Sequence, residues 1–195
     1  MPKQFNKLTA IASPIMRGNI DTDVIIRIER LVGNSVRGTL GKWAFGSLRY
    51  LPDVSENPDF ILNREPYRRA EILVTGPNFG CGSSREGAVW ALQEMGIRAI
   101  IGSGFGDIFF ANCFQNGILP IVVDKKIVDA LAADIEATQG AGRVGIDLEA
   151  QTIVSPSGRQ HAFEIDPRRR EGLLLGLDEV ALTLQRDNEI RAFQS

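Results

Sequence analysis

The sequence is poor in the side chains that hold metal ions and iron–sulfur clusters. It contains two cysteines, Cys81 and Cys113, and a single histidine, His161. A zinc site or an iron–sulfur cluster held by this chain alone would need more thiolate or imidazole ligands. A Ser–His or Cys–His catalytic pair could use only His161, whose surroundings have the pattern of a solvent-facing strand. Any chemistry must therefore depend on other side chains or on a partner protein.

A strong charge and long apolar runs are also missing. The net charge of −2 does not favour a nucleic-acid surface or a basic membrane patch. No apolar stretch has the length of a bilayer span, and residues 1–14 lack the hydrophobic region of a signal peptide. We therefore expect a cytoplasmic protein that binds neither nucleic acid nor membrane.

Apolar runs alternate with helical patterns in the middle of the chain. Runs rich in β-forming residues stand at 71–76, 98–102 and 118–123, and a segment with helical spacing follows each of them. Strand–helix alternation of this kind predicts an α/β fold with a central, mostly parallel sheet.

The flanking regions have different patterns. Residues 27–66 are rich in Gly, Pro, Asn and Arg, which predicts a long irregular loop. After Gly140 the pattern predicts two short strands joined by the turn SPSG (155–158), followed by a mostly helical C-terminal tail. No internal repeat or linker interrupts the chain, so we expect residues 1–195 to form a single domain.

The stretch NFGCGSSRE (78–86) lies between a predicted strand and a predicted helix. Ser83 and Glu86 have the spacing of a capping box, in which the two residues satisfy N–H groups at the start of a helix. Capping does not explain Ser84 and Arg85, because a cation in the first turn opposes the helix dipole. A bound anion would explain both, since helix N–H groups and guanidinium groups both bind carboxylates and phosphates. Neither the P-loop pattern nor the dinucleotide-binding glycine pattern is complete here. The turn therefore favours a carboxylate ligand over a nucleotide.

Together with NIDTDVII (19–26) and DIFFANCFQNGILP (107–120), this turn resembles the small subunits of 3-isopropylmalate dehydratase. These subunits are related to the swivel domain of aconitase, and the similarity runs over essentially the whole chain. The resemblance implies an aconitase-like swivel domain with three layers (β/β/α). It implies a hydro-lyase that interconverts 2-isopropylmalate and 3-isopropylmalate in leucine biosynthesis by dehydration and rehydration. The resemblance also implies a large-subunit partner that carries a 4Fe–4S cluster, with no cofactor or metal bound by this chain.

The resemblance assigns roles to five residues of this sequence. Ser83 would be the base that takes or returns a proton at carbon, and Asp23 would be a catalytic aspartate. Ser84, Arg85 and Arg37 would bind the dicarboxylate substrate. A helix N-terminus would stabilise the alkoxide form of the serine. For Arg37, an exposed loop charge without a role in binding remains an alternative.

The sequence departs from the usual family pattern in three places. Gly87 stands where histidine is common, Arg27 stands where proline is common, and residues 36–41 have an altered loop sequence. These changes keep the reaction class but leave the hydroxy-diacid substrate open. The alternatives are the small subunit of homoaconitase or of a citramalate or dimethylmalate hydratase. A non-catalytic anion-binding module is a further alternative, which the intact Ser–Ser–Arg turn opposes.

Overall fold

Seven strands form one mixed sheet in the computed structural model, which describes residues 3–32 and 37–184. The strands are β1 (Lys7–Ile15), β2 (Ile72–Thr75), β3 (Ala99–Gly102), β4 (Leu119–Val122), β5 (Arg143–Asp147), β6 (Thr152–Val154) and β7 (Gln160–Ala162). Their order across the sheet is β4–β3–β2–β1–β5–β6–β7. Strands β1 to β4 are parallel to one another. The pairs β1–β5, β5–β6 and β6–β7 are antiparallel. The prediction of an α/β fold is confirmed. A mostly parallel sheet was expected, and the observed sheet is parallel from β1 to β4 and antiparallel in its other half.

Seven α-helices surround the sheet within the described residues. They are α1 (Thr22–Ile25), α2 (Gly46–Arg49), α3 (Glu86–Glu94), α4 (Asp107–Gln115), α5 (Lys125–Ala137), α6 (Pro167–Leu175) and α7 (Glu179–Leu184). Helices α3 and α4 connect the parallel strands and pack against each other, and α5 crosses the sheet beside β1, β2 and β3. The predicted helical tail is confirmed in α6 and α7, and residues 185–195 of that prediction lie outside the described residues.

Two hydrophobic clusters cover the two faces of the sheet. In β2, Leu73 belongs to the cluster under α3 and α4, whereas Ile72 and Val74 belong to the cluster under α5. Successive side chains of a strand point to opposite faces, so a strand covered on both faces is apolar at every position. This arrangement explains why residues 71–76 form a continuous apolar run rather than an alternating one.

The predicted irregular loop at 27–66 is confirmed for residues 27–32 and 37–66, and these residues pack against the sheet domain. It contains short 3₁₀ helices at Ile28–Arg30, Gly41–Trp43 and Ile61–Asn63, besides α2. Leu40 and Phe45 are fully buried in the cluster under α3 and α4. Burial of each of these side chains stabilises the folded chain by about 1.5–3 kcal/mol. The two side chains therefore fix the position of a segment that lacks regular hydrogen bonding.

The antiparallel half has three strands after Gly140, where the sequence pattern predicted two. Strands β6 and β7 are joined by the predicted turn at 155–158, and β5 is the additional strand, paired with β1. The turn is tied to α5, because Ser157 and Arg159 donate hydrogen bonds of 2.6 and 2.5 Å to the buried carboxylate of Asp134. These hydrogen bonds, led by the one from Ser157, lower the pKa of Asp134.

Candidate active site

The loops that follow β1 and β2 meet at the carboxyl edge of the parallel strands. The backbone N–H of Gly80 donates to the carbonyl of Ile20 at 2.7 Å, and that of Thr22 donates to Cys81 at 2.9 Å. The Thr22 hydroxyl donates to the carbonyl of Ser83 at 2.9 Å. Two of the three sequence stretches that carry the family resemblance, 19–26 and 78–86, are therefore joined directly. Ligands of open α/β sheets bind at this edge.

Aromatic packing fixes the shape of the turn at 78–86. Phe79 is buried, with its ring centroid 5.5 Å from that of Phe109 and 6.4 Å from that of Phe45. Gly80 has a φ of +71°, and a β-carbon there would lie 2.2 Å from Cγ of Phe109. Only glycine combines this backbone conformation with this close approach. Core aromatic side chains therefore hold one side of the turn, while Ser83 and Ser84 are exposed on the other.

The predicted capping box at Ser83 and Glu86 is wrong. Helix α3 begins at Glu86, Arg85 occupies the N-cap position in an extended conformation, and no side chain caps the helix there. The carboxylate of Glu86 instead accepts a hydrogen bond of 2.9 Å from the side-chain amide of Asn116. Ser83 lies three residues before the first residue of the helix, and its carbonyl accepts the hydrogen bond from the Thr22 hydroxyl. Its hydroxyl is thus not used in capping.

Four of the five predicted site residues lie together at this turn. Ser83 and Ser84 are exposed, just before the N-terminus of α3. The guanidinium of Arg85 forms an ion pair with Asp23, and the Arg85 side chain is 16% exposed while that of Asp23 is 52% exposed. The neighbouring Asp21 has a different role, since its Oδ1 accepts the N–H of Val24 at 2.8 Å and caps α1.

The turn combines positive groups that bind carboxylates in proteins with the carboxylates of Asp23 and Glu86. Helix α3 begins with the N–H groups of Glu86 and Gly87, whereas the N–H of Ala88 donates to the carbonyl of Arg85 at 3.1 Å. The helix dipole adds partial positive charge at this end. Arg85 contributes a full positive charge there, and Asp23 balances it from one side. The exposed hydroxyls of Ser83 and Ser84 stand beside these groups.

The fifth predicted residue, Arg37, lies on the side of α3. Its guanidinium is 4.1 Å from the ring centroid of Trp90, and its Nη2 donates to Oδ1 of Asn116 at 3.3 Å. In the described part of the chain, none of its hydrogen bonds or ring contacts involves the other four predicted residues. Asn116 links Arg37 indirectly to Glu86, next to Arg85.

The described residues offer no ligand set for a metal ion. No three His, Cys, Asp or Glu side chains among residues 3–32 and 37–184 are placed to hold one. Cys113 is fully buried, and burial raises the pKa of its thiol well above the ordinary value. His161 lies in β7 at the far edge of the sheet. No helix in the described part of the chain is long and apolar enough to cross a bilayer.

Sequence reasoning missed three residues that shape the site. Thr22 holds the turn by its hydroxyl, Asn116 joins Arg37 to Glu86, and Glu94 accepts backbone hydrogen bonds from the segment after Arg37. The four-residue spacing of Glu86, Trp90 and Glu94 indicates that the three side chains share one helix face.

Comparisons with known proteins define the class first. A family model described as Aconitase C-terminal domain matches residues 2–126, and a model described as LeuD_N matches residues 129–167. The fold and the turn at the carboxyl edge are thus those of an aconitase-type swivel domain. The solved 3-isopropylmalate dehydratase of Methanocaldococcus jannaschii shares this fold, with a TM-score of 0.66 and 24% identity over 97% of this chain and 99% of that chain.

Curated relatives narrow the assignment to one family. The 3-isopropylmalate dehydratase small subunit of Gluconacetobacter diazotrophicus is 51% identical over 99% of this chain and 92% of that protein. The protein of the same name from Gluconobacter oxydans is 53% identical over 98% of this chain and 91% of its own length. The chain belongs to the family of 3-isopropylmalate dehydratase small subunits, as the sequence resemblance implied.

Proposed function

We propose that the chain works with a large subunit to interconvert 2-isopropylmalate and 3-isopropylmalate by dehydration and rehydration, as a step of leucine biosynthesis. The names of its relatives support the choice of reaction. The observation that carries the proposal is the exposed pair Ser83 and Ser84 beside Arg85 at the N-terminus of α3. A turn buried inside this chain's own core could not reach a substrate or a partner.

In this proposal Ser83 moves the proton. Its hydroxyl, as the alkoxide, takes a proton from a substrate carbon and returns one in the reverse direction. A serine hydroxyl is a weak base in water, and N–H donors and a nearby cation lower the cost of its charged form. The free N–H groups of α3 and the guanidinium of Arg85 provide both at this turn.

The other residues of the turn bind and orient the diacid. Arg85 offers a planar fork of N–H donors, which matches a carboxylate, and the Ser84 hydroxyl donates a further hydrogen bond. Asp23 holds the Arg85 guanidinium in place and is 52% exposed, so it has room for a hydrogen bond from the substrate hydroxyl. Arg37 binds the second carboxylate.

The remaining chemistry belongs to the partner. A 4Fe–4S cluster on the large subunit supplies a Lewis acid for the departing hydroxyl group. Among the described residues this chain has no ligand set for that cluster. In this proposal the active site is complete only between the two subunits, and this chain contributes one domain to it. The enzyme works in the cytoplasm.

A reconstitution experiment tests the proposal. The chain is mixed with the large subunit of the same organism and assayed against 2-isopropylmalate and the substrates of the homoaconitase, citramalate and dimethylmalate reactions. We expect the highest kcat/KM for 2-isopropylmalate and no turnover by either subunit alone. Turnover of another diacid without turnover of 2-isopropylmalate would contradict the substrate assignment. Binding of diacids without turnover by the pair would favour an anion-binding module instead.

A further inference from the structure

Glu94, the last residue of α3, holds a backbone segment that the proposed mechanism does not explain. Its carboxylate accepts the backbone N–H groups of Gly38 at 2.6 Å, Leu40 at 2.6 Å and Gly41 at 3.1 Å. A carboxylate at the C-terminus of a helix opposes the helix dipole. Three charge-assisted hydrogen bonds more than offset that cost, since each is stronger than a neutral one. Glu94 thus acts as a clamp on the segment 38–41.

Packing reinforces the clamp. A β-carbon on Gly41 would lie 2.7 Å from the carbonyl carbon of Glu94, so the segment touches the end of α3 backbone to backbone. Leu40 is fully buried in the cluster under α3 and α4. Arg49 donates a hydrogen bond of 3.3 Å to the carbonyl of Gly41 from the other side. The position of the segment is therefore set relative to α3.

Arg37 directly precedes this clamped segment, and its side chain runs back along α3. Glu86, Trp90 and Glu94 follow each other at intervals of four residues, so they share one face of the helix. The clamp is at Glu94, the Arg37 guanidinium lies 4.1 Å above the Trp90 ring, and Asn116 connects it to Glu86. The backbone of the clamped segment thus lies at the C-terminal end of α3, and the Arg37 side chain extends along this face toward the N-terminal end, where Arg85 lies.

We propose that Glu94 is a positioning residue, which holds the segment 38–41 so that Arg37 is set in advance for a substrate carboxylate. The inference rests on the proposed function, because it requires Arg37 to bind the substrate. Without the clamp, substrate binding has to order the backbone of this segment as well as the arginine side chain. That entropic cost lowers affinity and leaves proton transfer at Ser83 unchanged. The expected effect is therefore on KM rather than on kcat.

The test uses the reconstituted two-subunit enzyme with the variants Glu94→Gln, Arg37→Ala and Glu136→Gln. Glu136 is a matched control, because it is an exposed glutamate in the last turn of α5 and loses the same charge. We expect Glu94→Gln to raise KM about tenfold, the order of one lost hydrogen bond to a charged group, with kcat within about twofold. Glu136→Gln should leave both constants unchanged. Hydrogen exchange of residues 37–41 in the isolated chain should be about tenfold faster in Glu94→Gln.

The outcomes separate this inference from the function on which it rests. If Arg37→Ala leaves KM unchanged, the assigned role of Arg37 is wrong, and the positioning role of Glu94 is overturned with it. If Arg37→Ala raises KM and Glu94→Gln does not, the inference alone is overturned. Unchanged hydrogen exchange in Glu94→Gln would show that the carboxylate does not hold the segment. A raised KM with a preserved kcat and faster exchange supports the proposal.

Discussion

Replacement of Gly80 by alanine is expected to destabilise the turn that carries Ser83. With a φ of +71°, Gly80 has a left-handed backbone conformation, which costs a residue with a β-carbon about 1–2 kcal/mol. The added carbon would also lie 2.2 Å from Cγ of Phe109. The Phe109 ring is buried against Phe79, so it cannot move away without disturbing the core.

The two costs add because they have different origins. Overpacking of a buried site costs about 1–3 kcal/mol, which brings the expected loss for Gly80→Ala to about 2–5 kcal/mol. In a chain of this length, each kcal/mol lowers Tm by about 2–4 °C. Thermal unfolding of the isolated chain, followed by circular dichroism, should therefore show a Tm lower by roughly 4–20 °C.

A second glycine in the adjoining loop is the matched control. A β-carbon on Gly104 would have no heavy atom within 4 Å, and its φ is outside the left-handed region. Gly104→Ala should therefore change stability by about 0.5 kcal/mol or less. Adding Phe109→Leu to Gly80→Ala should restore part of the packing loss, since the two sites are in contact. Equal Tm values for the Gly80 and Gly104 variants would refute the reasoning.

Asp134→Asn is expected to cost about 1–3 kcal/mol of unfolding free energy at pH 7, measured by urea titration. Because hydrogen bonds lower the pKa of Asp134 below its ordinary 3.8, this loss of unfolding free energy should shrink as pH falls below about 4. A loss at pH 3 equal to that at pH 7 would contradict this prediction. Gly87→Val should lower Tm, since the added β-carbon would lie 2.5 Å from Leu31 Cδ2, and an unchanged Tm would count against that contact. Arg85→Lys should raise KM for the diacid about tenfold through loss of the planar fork, whereas an unchanged KM would remove Arg85 from the binding site.

The helix after the serine turn illustrates how far local patterns reach. The spacing of Ala88, Ala91 and Leu92 predicted α3, and all three side chains are buried there. Its first residue could not be predicted from the same stretch, because the hydrogen bond from Thr22 to the carbonyl of Ser83 spans 61 positions in the sequence. Local capping rules compare a serine only with its neighbours. Here Ser83 also contacts Thr22, a distant residue that such rules do not consider.

The order of the strands also depends on distant contacts. The alternation of strands and helices predicted the parallel order of β2, β3 and β4, since short crossovers place such strands side by side. The pairing of β1 with β5 joins residues that are far apart in the sequence, such as Leu8 and Ile146. Neither the nine residues of β1 nor the five residues of β5 carry a local pattern that specifies the partner strand.

The geometry of the candidate site could be predicted only in part from the sequence. The motif turn and the Asp-Thr-Asp stretch identified Ser83, Arg85 and Asp23, which the structure brings together. The contact of Arg37 with Trp90 could not be predicted, because it depends on where the loop after it docks. That docking uses backbone N–H groups, which every sequence has and which leave no pattern in it.

The kinetics of Ser83→Ala in the reconstituted enzyme test the central claim most directly. Ser157→Ala is the control, because Ser157 is also an exposed serine but lies in the turn between β6 and β7. If Ser83 moves the proton, Ser83→Ala lowers kcat by about 10²–10⁴ with KM nearly unchanged, and Ser157→Ala keeps the kcat of the unaltered enzyme. A kcat for Ser83→Ala equal to that of the control would contradict the account.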